Sequence, residues 1–226
     1  MIRVLKNWNE IGEAIVALRR AGLPLHPGPE KNWDQWLLRD SFSALDRSAE
    51  IVDLGCGGGA TLEFLRGLGF DHVRGIDLGI PVGLRRIKFA IVNYRKFRIP
   101  FRMDRGDLTK TGYADSSFDA ATSISTIEHQ VPLDEFFHET ARILKPGALL
   151  FLTTDYWEEK LEVDSQAFGL AWQIFSQEQI SALIALGQSH GFALVQPSDV
   201  PSCAGRPVHW LQRDYTFIAL LFRKGC

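Results

Sequence analysis

A chain of 226 residues, 46% hydrophobic and with a net charge of −2, is long enough to bury the core of one α/β domain and has no global electrostatic pull toward nucleic acid. Its three cysteines, Cys56, Cys203 and Cys226, make no even disulfide framework and read as an intracellular, reducing setting. The apolar run from Ile11 to Leu18 contains Glu13 and is too short to span a bilayer; with no signal peptide ahead of it, a soluble cytoplasmic protein is expected.

In chain order, helical patterns at 8–21 and 30–46 flank the Pro/Gly-rich segment Pro24-Leu25-His26-Pro27-Gly28-Pro29, which reads as a hinge or ordered loop. Residues 1–46 are taken as a helical N-terminal cap and 47–226 as a single domain. A strand at 50–54 runs straight into Gly55-Cys56-Gly57-Gly58-Gly59, and a helix follows over 59–68. Glycines let the backbone turn sharply and let a ligand lie against it, and the helix N-terminus beyond offers unpaired N–H groups. Strands then fit 72–76, 101–105, 118–124, 148–153, 191–196 and 215–222, with helices at 82–97, 133–144 and 176–190. This alternation implies a parallel sheet covered on both faces. Ser176 with Gln179 reads as a capping box, and Gly191 as the stop of the last helix.

Two cofactor classes use such a glycine loop. Gly55-x-Gly57-x-x-Ala60 fits the dinucleotide fingerprint, and Asp77, 22 residues after Gly55, sits where an acid would take ribose hydroxyls in either class. Asp53 separates them. Beside a pyrophosphate it would be repelled, at a cost of roughly a few kcal/mol for an effective dielectric of 20; beside a phosphate-free sulfonium it would not. Asp53 is read either as touching that ligand or as stiffening the loop backbone.

From here the chain resembles the class I S-adenosylmethionine-dependent methyltransferases. Arg105-Gly106-Asp107-Leu108 looks like the family's third cofactor motif, Asp115-Ser116-Ser117-Phe118-Asp119-Ala120-Ala121 like the entry into its fourth strand, and Leu144-Lys145-Pro146-Gly147-Ala148-Leu149-Leu150 like its L-K-P-G-G turn, with alanine for the second glycine. The resemblance covers about residues 50–155. It implies a Rossmann-like, seven-stranded mixed sheet whose last strand is antiparallel beside the fifth. It implies S-adenosyl-L-methionine as cofactor, with Asp53, Gly55, Gly57 and Gly59 around its amino-acid part and ribose, Asp77 on the ribose hydroxyls, and Asp107 with Leu108 at the adenine. Cys56, Leu78 and Ser125 complete the expected cofactor set.

The acceptor is expected beyond the carboxyl ends of the strands. All six tryptophans lie outside residues 50–150, and some are expected to line that pocket. Methyl transfer is chiefly a matter of alignment, aided by a general base when the acceptor is a hydroxyl. His129, in Ser125-Thr126-Ile127-Glu128-His129, is the first candidate base. Asp155 and Tyr156 come next, then His26 if the cap folds over the site. Glu128-His129 shows no third ligand, so no metal is expected. The basic run from Arg85 to Arg105 has an apolar stripe (Leu84, Ile87, Ile91, Tyr94), which reads as a packed helix with a solvated face. The expected partner is therefore a small-molecule acceptor (sugar, polyketide, phenolic or other secondary metabolite) methylated at O or N, with no nucleic acid or membrane, in a monomer or homodimer. Three other readings stay open: a non-catalytic methyltransferase-like subunit or cofactor sensor, an RNA methyltransferase, and an NAD-dependent oxidoreductase.

Overall fold

A computed structural model describes residues 1–81, 102–203 and 205–225. The helix expected at 82–97, with most of the basic run, lies outside the described residues. Strand β2 (Glu50–Leu54) is the centre of the cofactor half. It pairs in parallel with β3 (His72–Asp77) on one side and β5 (Phe118–Ile124) on the other, while β4 (Arg102–Arg105) extends the sheet beyond β3. Ile51, Val52 and Leu54 are fully buried, as expected of a strand covered on both faces. Helices α1 (Trp8–Arg20), α2 (Lys31–Ser41), α3 (Ala60–Gly67), α4 (Leu133–Ile143) and α5 (Gln177–Ser189) flank the sheet, and a hydrophobic cluster fills each face.

The other half of the sheet is built on two long strands. β6 (Leu144–Tyr156) lies parallel to β5, and β11 (Arg213–Lys224) runs antiparallel to β6 from Thr216↔Tyr156 to Arg223↔Leu149. The expected antiparallel last strand is therefore present, but the sheet exceeds seven strands. Its order is β1 (Ile2–Val4), β11, β6, β5, β2, β3, β4, and two further short strands pair with β11, making nine among the described residues. The far edge of β11 is long enough to be shared. β1 (Ile2–Val4) pairs along its middle, β9 (Phe192–Leu194) near its end, and β10 (Val208–Trp210) forms a hairpin at its start. Leu211 and Gln212, both with positive φ, make the two-residue turn whose twist suits a hairpin.

Several boundaries differ from the sequence pattern. β6 starts at Leu144, before Pro146-Gly147, and runs three residues past 153; α2 stops at Ser41 rather than 46. The capping box of α5 is present. The Ser176 hydroxyl accepts from the Gln179 N–H (3.2 Å), and Gln179 Oε1 accepts from the Ser176 N–H (2.9 Å). A short hairpin, β7 (Gln166–Ala167) and β8 (Leu170–Ala171), follows β6. No helix among the described residues is long and apolar enough to cross a membrane.

Candidate active site

The carboxyl end of β2 delivers the chain into the glycine loop. Gly55, Gly57 and Gly59 all have positive φ (84°, 48° and 87°), a region costly for residues with a Cβ. Gly55 has a second requirement, since a Cβ there would sit 2.2 Å from Thr126 Cγ2. The loop is pinned from behind. The N–H groups of Gly55 and Cys56 donate to the Ile76 carbonyl (2.9 and 3.1 Å), and Gly57 N–H donates to Asp77 Oδ2 (2.9 Å). Asp77 Oδ1 accepts from Gly79 N–H (2.6 Å). Carboxylate oxygens carry two lone pairs each, so Asp77 can still accept from a ligand.

Asp53 is buried and accepts from the Thr122 hydroxyl (2.6 Å). Burial pushes its carboxyl up to about 7, against hydrogen bonds from Thr122 and Thr61. The side chain thus ties β2 to β5 and to the first turn of α3. Asp107, exposed, accepts from the Thr109 N–H and hydroxyl (2.8 and 2.7 Å); Leu108 packs against the core, and Leu78 is 61% exposed. Cys56 is buried, and its thiol is pushed up by that burial, which leaves no thiolate to act as a nucleophile.

Over the loop lies a cavity of about 470 Å³, walled by Gly55 to Gly58, the ends of β5 and β6, the segment entering α2, and the β10–β11 hairpin. Gly57 and Gly58 line it, and a Cβ on either would meet nothing within 4 Å. Ser125, Glu128, His129, Asp155 and His26 all line the same space, so three of the four expected catalytic side chains converge there. The fourth requires correction. Tyr156 follows Asp155 in a strand, where successive side chains point to opposite faces. It is fully buried in the core cluster and absent from the cavity wall, with its hydroxyl unpartnered and pushed up to about 12 by burial.

His129 is half-buried, its ring meets Phe168 edge-on at 5.7 Å, and its Nδ1 has no hydrogen-bond partner. Burial, then the nearby Lys31 charge, lowers its pKa, so the imidazole is neutral at neutral pH. His26 orders the loop ahead of α2, its Nδ1 accepting from Gly28 N–H (3.0 Å). Of the tryptophans, Trp210 lines the cavity and meets Trp172 edge-on at 5.0 Å. Trp33 is buried in the core, and Trp8 is 53% exposed.

The cavity wall also holds a charged group that the sequence pattern did not single out. Lys31, at the start of α2, donates to Ser125 Oγ and lies 3.6 Å above the Phe217 ring. It pairs with fully buried Asp34 at 3.8 Å. Glu128, buried, accepts from the Thr154 hydroxyl (2.9 Å), and burial with neighbouring Asp155 pushes it up to about 8. Asp155 accepts from the Trp172 indole N–H (2.7 Å) and is likewise raised by burial. Only the i,i+3 spacing of Lys31 and Asp34 was visible in sequence, and that spacing is common on solvated helices. Among the described residues no group of three His, Cys, Asp or Glu is placed to hold a metal.

Residues 52–152 match the family described as methyltransferase domain. The ubiquinone biosynthesis O-methyltransferase of Xanthomonas oryzae pv. oryzae (strain PXO99A) is 31% identical over 157 residues, 67% of this chain and 59% of that protein. The mitochondrial enzyme of the same name from Homo sapiens is 31% identical over 159 residues, 68% of this chain and 39% of that protein. The chain thus spans less than two thirds of the length of these relatives. In fold it is similar to the [4+2]-cyclase SpnF (TM-score 0.64, 19% identity, 99% of this chain and 98% of that one). It is also similar to geranyl diphosphate C-methyltransferase of Streptomyces coelicolor A3(2) (TM-score 0.63, 18% identity, 90% and 83%). With its glycine loop and sheet order, the matched segment 52–152 is a methyltransferase domain of the class I S-adenosylmethionine-dependent type.

Proposed function

We propose that this protein transfers the methyl group of S-adenosyl-L-methionine to a small-molecule acceptor, at oxygen or nitrogen, as a soluble cytoplasmic enzyme. One observation carries the reading. The open glycine backbone and the groups suited to acceptor chemistry share a single cavity, with Gly57 and Gly58 at one end and Glu128, His129 and Asp155 at the other. The names of the sequence relatives, O-methyltransferases of ubiquinone biosynthesis, favour oxygen. The likeness to a [4+2]-cyclase is one of fold, and fold alone does not decide chemistry.

The loop fits the cofactor because Gly57 and Gly58 present bare backbone to the cavity, against which a ligand can lie. Gly55, Cys56, Gly57, Gly59 and Ser125 would border the amino-acid part, Asp77 and Leu78 the ribose, and Asp107 with Leu108 the adenine, with Asp53 fixing the loop from beneath. The bound cofactor supplies an electrophilic methyl carbon on a sulfonium. The protein's share is alignment, which is capable of supplying ~7–11 kcal/mol, and proton removal from a hydroxyl acceptor. His129, its pKa lowered by burial and by the Lys31 charge, suits that proton transfer, and Asp155 lines the same cavity.

Calorimetric titration with S-adenosylhomocysteine, followed by methyl transfer from labelled cofactor to pooled sugars, phenols and polyketides, tests the reading. Micromolar binding and label in one acceptor class are expected. His129→Ala should lower turnover by roughly 10²–10⁴-fold with cofactor affinity unchanged. Failure of a folded sample, cleared of copurified cofactor, to bind S-adenosylhomocysteine would refute the proposal.

A further inference from the structure

The cation in the cavity wall is unusual in its surroundings. The Lys31 ammonium has three N–H donors and no acceptor capacity. Ser125 Oγ takes one donor, the Phe217 ring face lies 3.6 Å below the charge, and Asp34 at 3.8 Å is an ion pair beyond hydrogen-bond reach. Glu128 and Asp155 line the same cavity, yet neither comes within ion-pair distance of the ammonium. Their remaining oxygens are acceptors when ionised. A donor-only group therefore faces carboxyl groups, each keeping an acceptor oxygen in either protonation state, across a space that neither fills. Asp34 is wholly buried 3.8 Å from the ammonium, where burial pushes its carboxyl up to about 7 against the pull of the Lys31 charge.

A hydroxyl satisfies both sides, accepting from the ammonium through a lone pair while donating a hydrogen bond to a carboxyl oxygen. An alkylammonium has no lone pair and would be repelled by Lys31. A methyl ether, the product of O-methylation, has lost the donor and keeps only the contact to the ammonium. We infer that Lys31 is the acceptor-positioning residue of this enzyme, holding a hydroxyl oxygen between its ammonium and the Glu128–Asp155 pair, so that the cavity selects hydroxyl acceptors over its own product. This rests on the proposed methyl-transfer site and names the acceptor group it takes.

The test reads binding rather than turnover, with 4-nitrophenol and its methyl ether 4-nitroanisole as probes, at a pH where the free phenol is mostly neutral. The wild-type protein should bind the phenol at least roughly tenfold tighter than the ether, the size of one hydrogen bond to a charged group, and the bound phenol should show the nitrophenolate absorption band. Lys31→Met should remove both the preference and the band, and Lys31→Arg should restore them in part. Because Lys31→Met strands the Asp34 charge, the double variant Lys31→Met/Asp34→Asn repeats the measurement with both charges removed, and each variant's fold is checked by circular dichroism. Equal binding of phenol and ether by the wild type, binding of neither, or a preference that survives both lysine removals would overturn the inference. S-adenosylhomocysteine affinity, measured on the same samples, reports separately on the methyl-transfer reading; its loss in the wild type would overturn that reading while the phenol preference still stood or fell by itself.

Discussion

Replacing Gly55 by alanine tests how the glycine loop is built. The residue sits at φ 84°, and a Cβ in the left-handed region costs about 1–2 kcal/mol. The same Cβ would lie 2.2 Å from Thr126 Cγ2, 2.5 Å from Oγ1 and 2.9 Å from Cβ. Rotating the threonine relieves the first two contacts but not the third, so the backbone after β5 must also shift, and overpacking of this kind costs roughly 1–3 kcal/mol. Gly55→Ala should therefore lose about 2–5 kcal/mol in urea denaturation at fixed pH. Gly57 provides the control. Its φ is 48° but a Cβ there meets nothing within 4 Å, so Gly57→Ala should lose only the conformational part, about 1–2 kcal/mol. Thr126→Gly in the Gly55→Ala background should recover the overpacking part alone. If Gly55→Ala falls within about 0.5 kcal/mol of wild type, or costs no more than Gly57→Ala, the assignment of Thr126 as the steric stop on this loop is wrong.

Three further outcomes are expected. Burial alone would raise the Glu139 carboxyl, but hydrogen bonds from Arg142 (2.7 and 2.9 Å) and from Thr111 hold it at about 2. Its contribution is then present above the unfolded carboxylate pKa and lost as pH falls from about 4.5 toward 2; Glu139→Gln should cost about 1–3 kcal/mol at neutral pH and flatten that acid limb in denaturation curves. Glu128 behaves oppositely, because burial raises it to about 8. Its folded form favours the proton, so stability present below pH ~4.3 declines as pH rises through about 8, and Glu128→Gln should reduce that decline in melting scans across this range. Ser176→Ala removes the hydroxyl that accepts from Gln179 N–H and should cost about 1 kcal/mol, while Ser176→Asp should retain most of the stability; equal losses for both would show that the cap contributes little.

Local chemistry made much of this protein legible from its sequence. A run of apolar residues ending in five residues with four glycines marks β2 and its turn, because positive φ selects glycine wherever it is needed. Ser176, Gln179 and Gly191 bound α5 because capping hydrogen bonds reach only three or four residues. His129, Asp155 and His26 were identifiable as polar residues at the ends of elements, and the cavity gathers all three. What the tertiary structure alone decided depends on pairing and facing. Ile2–Val4 is too short to have a readable period and becomes a strand only because β11 offers it an edge. Adjacent Asp155 and Tyr156 look equally placed in sequence, but the two-residue period of a strand sends one to the cavity and the other to the core. Lys31 stands 94 residues from Ser125 and on a separate element from Glu128 and Asp155. No local rule links such residues; their meeting follows from the way α2 packs over the ends of β5 and β6, which long-range burial determines.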